Sequence, residues 1–199
     1  MKLVVGICSG GTIRTETMMS LIANIYNLGT HDLAVNILAQ IGGYVAFNRN
    51  KLVEEAINAE ATHLMFLDAD MMFDNDAMWT LLQHADKDIV AGNYNIRRDP
   101  KSVSGSGSTV KMMVNDEIVS LTELPKGGIF QCYAAPTGFM LINLEVFKKL
   151  KKPYFVEWED KEGNHTTEDV DFCIKANKAG LEVWCDPTIK IGHIGSTAY

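Results

Sequence analysis

The segment Thr62 to Asp76, THLMFLDADMMFDND, narrows the fold more than any other. In it an apolar run, Leu64 to Leu67, stops at two carboxylates one residue apart, Asp68 and Asp70. Side chains at i and i+2 of a strand share a face. A strand here buries Leu64 and Phe66, and it carries Asp68 and Asp70 to the same side at its solvent end. Two carboxylates that close repel unless protons or a cation neutralise them. A hard divalent ion with several oxygen ligands is the simplest neutraliser, and it favours a phosphate-bearing partner. Taken alone, the pair reads more readily as two solvated acids after a core strand. The rest of the chain decides between these readings.

Upstream, Lys2 to Cys8 is a continuous apolar run, the mark of a strand buried on both faces. Ser9-Gly10-Gly11-Thr12 breaks it. Met18, Leu21, Ile22, Ile25 and Leu28 then form a helical stripe over Thr15 to Leu28, with Gly29 suited to its C-terminal cap. Strand, glycine loop and helix make a βα unit whose loop can offer N–H groups to a phosphate or a base. A tight turn with no ligand explains it equally well, and the G-x-G-x-x-G spacing of a dinucleotide fingerprint is missing. Leu33 to Ala39 reads as a second strand. Asn50 reads as the cap of a helix to about Ala61, with Leu52, Val53, Ala56 and Ile57 inward. That places Arg49 at a helix start, where a cation opposes the helix dipole; this suggests a task such as holding a phosphate or carboxylate, with a solvated arginine the more common outcome. Asp74, Asn75 and Asp76 read as capping residues for a helix over Ala77 to His84. Asp88 to Ala91 begins a further strand. Strands alternating with helices argue for a mostly parallel sheet with helices on both faces, and such sheets bind ligands at the carboxyl ends of their strands. Asp68 and Asp70 sit at such an end.

From Arg97 to Gly128 the character changes. Ser102 to Ser108 is polar and rich in serine and glycine, and Thr109 to Val114, Asn115-Asp116 and Ile118 to Leu121 spell a β-hairpin, an insertion on the sheet. Ile129 to Ala135 and Gly138 to Ile142 are β-rich, and Asn143 suits the start of a short helix to Leu150. Tyr154 to His165 is a long loop of aromatics and acids. Its aromatics Tyr154, Phe155 and Trp158 suit a sugar face and a core cover equally. Thr166 or Thr167 caps a helix whose first turn holds Glu168 and Asp169, a place that suits acids for structural reasons alone. Leu181 to Cys185 is a last strand, and His193 follows in a glycine-flanked tail.

At 199 residues the chain suits one domain, and its 47% hydrophobic and 22% charged shares are those of a soluble globular protein. A net charge of −7 without a basic patch argues against nucleic acid as a partner. Cys8, Cys132, Cys173 and Cys185 form no C-x-x-C pair. Cys8 and Cys173, in apolar runs, suit buried thiols in a reducing compartment, hence a cytoplasmic location. No apolar run reaches membrane-spanning length, and the N-terminal run is too short for a signal segment.

In chain order, the βα unit is followed by RNKLVEEAI, LMFLDADMMF, IVAGNYNIRR, APTGFMLINLEVF, TEDVDFCIKANKAGLEVWCDP and GHIG. Together these resemble a compact GT-A-fold glycosyltransferase of the family-2-like sort met in bacteria and phages. The resemblance spans most of the chain and reverses the balance struck for D-x-D alone. It implies an α/β fold, a mostly parallel central sheet flanked by helices with a small β insertion. It implies one domain over 1–199, with a nucleotide-binding half (1–95) and an acceptor half (96–199). By it, Asp70 and His193 hold Mn²⁺ or Mg²⁺ against the donor's two phosphates, with Asp68 contacting the ribose or a metal-bound water. Asp169 becomes the general base toward the acceptor hydroxyl, Glu168 orients it, and Gly138 lets backbone approach the sugars. Ser9, Gly10, Thr12, Arg14 and Arg49 join Asp68 and Gly138 as donor-binding candidates. The implied donor is a nucleotide-diphosphate sugar, a UDP-sugar first. The implied partner is a hydroxyl acceptor on a glycan, lipid or protein, with room for an oligomer.

Two departures stand out. The family's acid near the end of the second strand is not evident around Ala39-Gln40, which leaves the base open, and little chain follows His193. Ser9 to Arg14 also distantly resembles the glycine-rich loop of sugar-phosphate nucleotidyltransferases, although a further glycine is missing. A non-catalytic nucleotide- or carbohydrate-binding module is the remaining alternative.

Overall fold

A computed structural model describes residues 1–95 and 108–195. The elements in order are β1 (Leu3–Ser9), α1 (Thr15–Thr30), β2 (Val35–Ile41), α2 (Val45–Asn58), β3 (His63–Asp68), β4 (Met71–Phe73), α3 (Ala77–Leu82) and β5 (Ile89–Gly92). Then come β6 (Lys111–Val114), β7 (Glu117–Ser120), β8 (Phe130–Cys132), β9 (Phe139–Asn143) and α4 (Val146–Lys149). The chain closes with β10 (Trp158–Glu159), β11 (His165–Thr166), α5 (Glu168–Lys178), β12 (Val183–Asp186) and β13 (Ile191–His193).

Seven strands form the central sheet in the order β2-β1-β3-β9-β5-β12-β8. β1 runs parallel to β2 and β3, and β5 parallel to β12. β9 lies antiparallel between β3 and β5, and β8 closes the far edge antiparallel to β12. Five strands therefore share one direction, which is the expected mostly parallel α/β sheet. Two cores flank it. One holds Leu52, Phe66, Phe155 and Phe172 under α2 and α5; the other holds Leu21, Met65, Met78 and Phe139 under α1 and α3. The β insertion is the hairpin β6–β7, turning through Asn115 and Asp116 at φ 50° and 63°, the left-handed backbone that these residue types tolerate. The expected Ser102–Ser108 stretch falls largely outside the described residues.

Several local expectations shift. β2 starts and ends two residues later than its apolar pattern suggests. α1 runs through Gly29 to Thr30, and its Met18 and Ile22 point to solvent. α2 begins at Val45, so Arg49 stands in its second turn and Asn50 is no cap. The side chain of Asn50 instead reaches the loop after Pro153. Its Nδ2 donates to Phe155 O at 2.8 Å, and its Oδ1 accepts from Tyr154 N–H at 2.8 Å. Tyr154 and Phe155 are buried, Phe155 stacking on Phe172, so they cover the core, while Trp158 stays exposed. Asp76 provides no side-chain cap for α3; Asn24 of α1 does so, its Oδ1 accepting Met78 N–H at 2.8 Å. The glycine-flanked tail is a strand: β13 pairs antiparallel with β4, setting His193 opposite Met71.

Candidate functional site

β3 is buried up to Leu67 because neighbours pair with it on both sides, and it surfaces at Asp68. Past its end, Asp70 O accepts Ile194 N–H at 2.8 Å, and the β4–β13 pairing brings His193 alongside. His193 Nε2 lies 3.4 Å from Asp70 Oδ1. Two cis ligands on one ion with bonds of ~2.1 Å stand about 3 Å apart, so this carboxylate and imidazole suit a shared divalent ion. The ring of Tyr94 packs edge-on against His193 with centroids 5.4 Å apart. Burial first, and then the nearby charge of Asp68, push the Tyr94 phenol well above its ordinary range.

Asp68 is engaged elsewhere. Arg49, 3% exposed, directs Nη2 to Asp68 Oδ1 at 3.1 Å and Nη1 to Glu168 Oε1. Burial disfavours its charge, but Asp68 and Glu168 outweigh that and hold the guanidinium above its usual range. The cation expected to hold a phosphate or a carboxylate thus holds two carboxylates, tying the end of β3 to the first turn of α5. Among the described residues, no group of three His, Cys, Asp or Glu side chains forms a metal cluster. Asp70 and His193 come together, while Asp68 is drawn to Arg49.

The glycine loop is folded against the same strand end. Ser9 Oγ donates to Thr12 O at 2.7 Å and accepts Gly11 N–H at 3.1 Å. Gly11 needs its φ of 126°, a conformation side chains rarely adopt. Arg14 N–H donates to Ala69 O at 2.8 Å, and Thr17 Oγ1 to the same oxygen at 3.2 Å. A cavity of about 580 Å³ lies between loop and strand end. Ser9, Gly10, Thr12, Arg14, Asp68, Asp70 and His193 all line it.

Arg49, Gly138, Glu168 and Asp169 do not line that cavity. Gly138 is buried, its N–H donating to Tyr94 Oη at 2.9 Å and its carbonyl accepting Asp68 N–H at 3.0 Å. A Cβ there would stand 2.3 Å from Tyr94 Oη and 2.6 Å from Asp68 Oδ2, so protein atoms already occupy the space a side chain would need. Asp169 accepts Val170 N–H at 2.8 Å and the Thr167 hydroxyl through the same Oδ1, and its charge is felt at Arg49 and Tyr94. Sequence reasoning missed Cys8, Gly43, Val45, Asn48 and Ala69, which complete the cavity wall. Asn48 is buried and donates to Gly42 O at 2.5 Å, fixing the turn after β2. The adjacent Gly42-Gly43 pair, at φ 75° and 72°, was the signal that a tight ligand-side turn lay there.

No protein-family model and no curated protein matches this sequence. Solved structures do. A197 from STIV superposes with a TM-score of 0.64 at 21% identity, over 98% of this chain and 87% of that one. The inositol-1-phosphate CTP transferase from T. maritima superposes with a TM-score of 0.51 at 15% identity, over 98% and 89%. At such identities the likeness establishes the fold: this chain has the same α/β architecture as that CTP transferase. No described helix is long and apolar enough to cross a membrane.

Proposed function

We propose that the protein is a metal-dependent transferase acting on a nucleotide-diphosphate sugar, moving the sugar to a hydroxyl acceptor. The observation that carries this is the Asp70–His193 pair, 3.4 Å apart, on the wall of a cavity that the glycine loop also lines. Mn²⁺ or Mg²⁺ held by so few protein groups takes its remaining ligands from water and substrate phosphates. Such an ion, held by Asp70 and His193, would neutralise the leaving diphosphate as a Lewis acid. Ser9, Gly10, Thr12 and Arg14 meet the donor along the cavity. Asp169 serves as general base toward the acceptor hydroxyl, and Arg49 and Glu168 hold the first turn of α5 that carries it. Direct attack by that hydroxyl inverts the anomeric centre.

A second reading is sugar-phosphate nucleotidyl transfer, and the likeness to the CTP transferase speaks for it. One assay separates the two. The protein with Mn²⁺ is given nucleoside-diphosphate sugars, UDP-sugars first, with water or an added sugar as the hydroxyl that takes the glycosyl group, and separately nucleoside triphosphates with sugar 1-phosphates. Release of nucleoside diphosphate from the first set, lost in Asp169→Asn with donor binding kept, is the expected result. Pyrophosphate release from the second set alone would instead establish nucleotidyl transfer.

A further inference from the structure

Among the described residues β2 is an edge of the central sheet, paired on one side only, with β1. Its sequence, Val35-Asn-Ile-Leu-Ala-Gln-Ile41, carries no charge and no proline. Exposed edges are usually guarded by charges, prolines or bulges, because their free N–H and C=O groups template pairing with another chain. This seven-residue edge has none of those guards. Ile37 and Ile41 are 48% and 70% exposed on one face of the strand.

That face is the one α1 covers incompletely. The residues of β1 beside Val35, Ile37 and Ala39 are Leu3, Val5 and Ile7, which pack under α1. At 100° per residue, Met18, Ile22 and Ile25 fall on one flank of α1. The opposite flank is taken by α3 and β4, where Ser20 and Asn24 bond to Phe73 and Met78. Ile22 is 55% and Tyr26 78% exposed. Glu16 is the one charged side chain in the sixteen residues of α1. In a chain of 43 charged residues (18 basic and 25 acidic), α1 and β2 together thus carry a single charge. Depletion of charge with enrichment of Met and Tyr is the composition of an interface core.

We infer that β2 and the adjoining flank of α1 form a homodimer interface, in which two copies pair their β2 strands antiparallel about a two-fold axis. Four observations favour a second copy as the occupant. A two-fold contact sets the same patch against itself, and a patch with so few charges does so with little like-charge repulsion even at a net charge of −7, the Glu55 carboxylate behind β2 being engaged by Gln40. Strand pairing satisfies the free edge on both copies at once. It would place the two β1 strands three spacings apart, about 14 Å, and the α1 helices over them a little beyond the usual 8–10 Å packing distance. Met18, Ile22 and Tyr26 have the length to fill that gap. Finally, Met18, Ile22, Tyr26, Ile37 and Ile41 leave on the order of 600 Å² exposed, which with the strand backbone approaches the ~800 Å² per partner of a standard interface.

Sedimentation equilibrium and light scattering on the intact chain test this without reference to any activity. Wild type at tens of micromolar is expected at twice the 22.0 kDa of one chain. Ile37→Lys/Ile41→Lys, and separately Ile22→Glu, are expected to run as monomers with unchanged circular dichroism, dimerisation falling at least ~100-fold because each buries a charge at the contact. A monomeric wild type, whether it binds other proteins, vesicles or nothing through this face, overturns the inference. So does a dimer that survives both variants, since its interface would then lie elsewhere.

Discussion

At the scale of single residues, Asp70 and Arg49 divide the electrostatics of the site. Asp70 and His193 are the proposed holders of a cation from outside, whereas Arg49 is a cation built in. Asp70→Ala and His193→Ala are each expected to weaken Mn²⁺-dependent nucleotide-sugar binding at least ~10-fold, since each removes one of few protein ligands. Titration calorimetry with and without Mn²⁺ reads this, and unchanged affinity in both variants would remove the metal assignment. Arg49→Met acts differently. It leaves Asp68 and Glu168 facing each other with no cation between them. Breaking a buried pair costs about 3–5 kcal/mol, and the 26% side-chain exposure of Asp68 places the expected loss near the lower value. Urea denaturation measures it, and a change under ~1 kcal/mol would mean that water already screens the cluster.

At the scale of elements, α2 carries more of the site than its amphipathic pattern announces. Consecutive residues do two jobs: Arg49 fixes the start of α5, and Asn50 fixes the loop that leads toward it. Asn50→Ala removes bonds to Tyr154 and Phe155 and is expected to cost about 1–3 kcal/mol, with faster amide exchange confined to residues 154–165. Global loosening without that local signature would contradict a latch. The start of α2 was not legible because its N-cap is Tyr44, with no capping side chain; packing rather than capping sets it. A carboxylate-holding task for Arg49 was suggested from a helix start that lies elsewhere, and its burial departs from the commoner solvated outcome. β13 escaped notice because three residues paired with three of β4 have no periodicity to read. By contrast, β1, β3 and β9 were plain in the sequence, since strands buried on both faces must be apolar throughout. Asp68 and Asp70 looked like a pair because their spacing is local. What separates them, Arg49 and His193, is brought by tertiary pairing, which spacing does not encode.

At the scale of the whole molecule, four thiols sit on four elements across the sheet and α5: Cys8 on β1, Cys132 on β8, Cys173 on α5 and Cys185 on β12. All are free and buried, and burial pushes each up from the ordinary value of 9.0, Cys8 to about 11, Cys185 to about 12, and Cys132 and Cys173 beyond that. At Cys8 the Arg49 guanidinium works against that rise, but burial prevails. The folded chain therefore keeps these protons where the unfolded chain has lost them. Their contribution is fully present below pH about 9 and is lost as pH rises through about 11, each thiol adding a slope of about 1.4 kcal/mol per pH unit once its unfolded form ionises. Urea midpoints are expected to be flat from pH 7 to 8.5 and to fall steeply above 9. In parallel, a thiol-specific disulfide reagent at pH 8 is expected to label no cysteine of the native protein within minutes and all four in urea, because the thiolate is the reactive form and burial withholds it. Because Cys8 also lines the cavity, it should be the first to react as pH is raised, and bound nucleotide should delay it. Rapid labelling of native Cys132, Cys173 or Cys185 at pH 8 would mean that the sheet and α5 open far more readily than their packing implies.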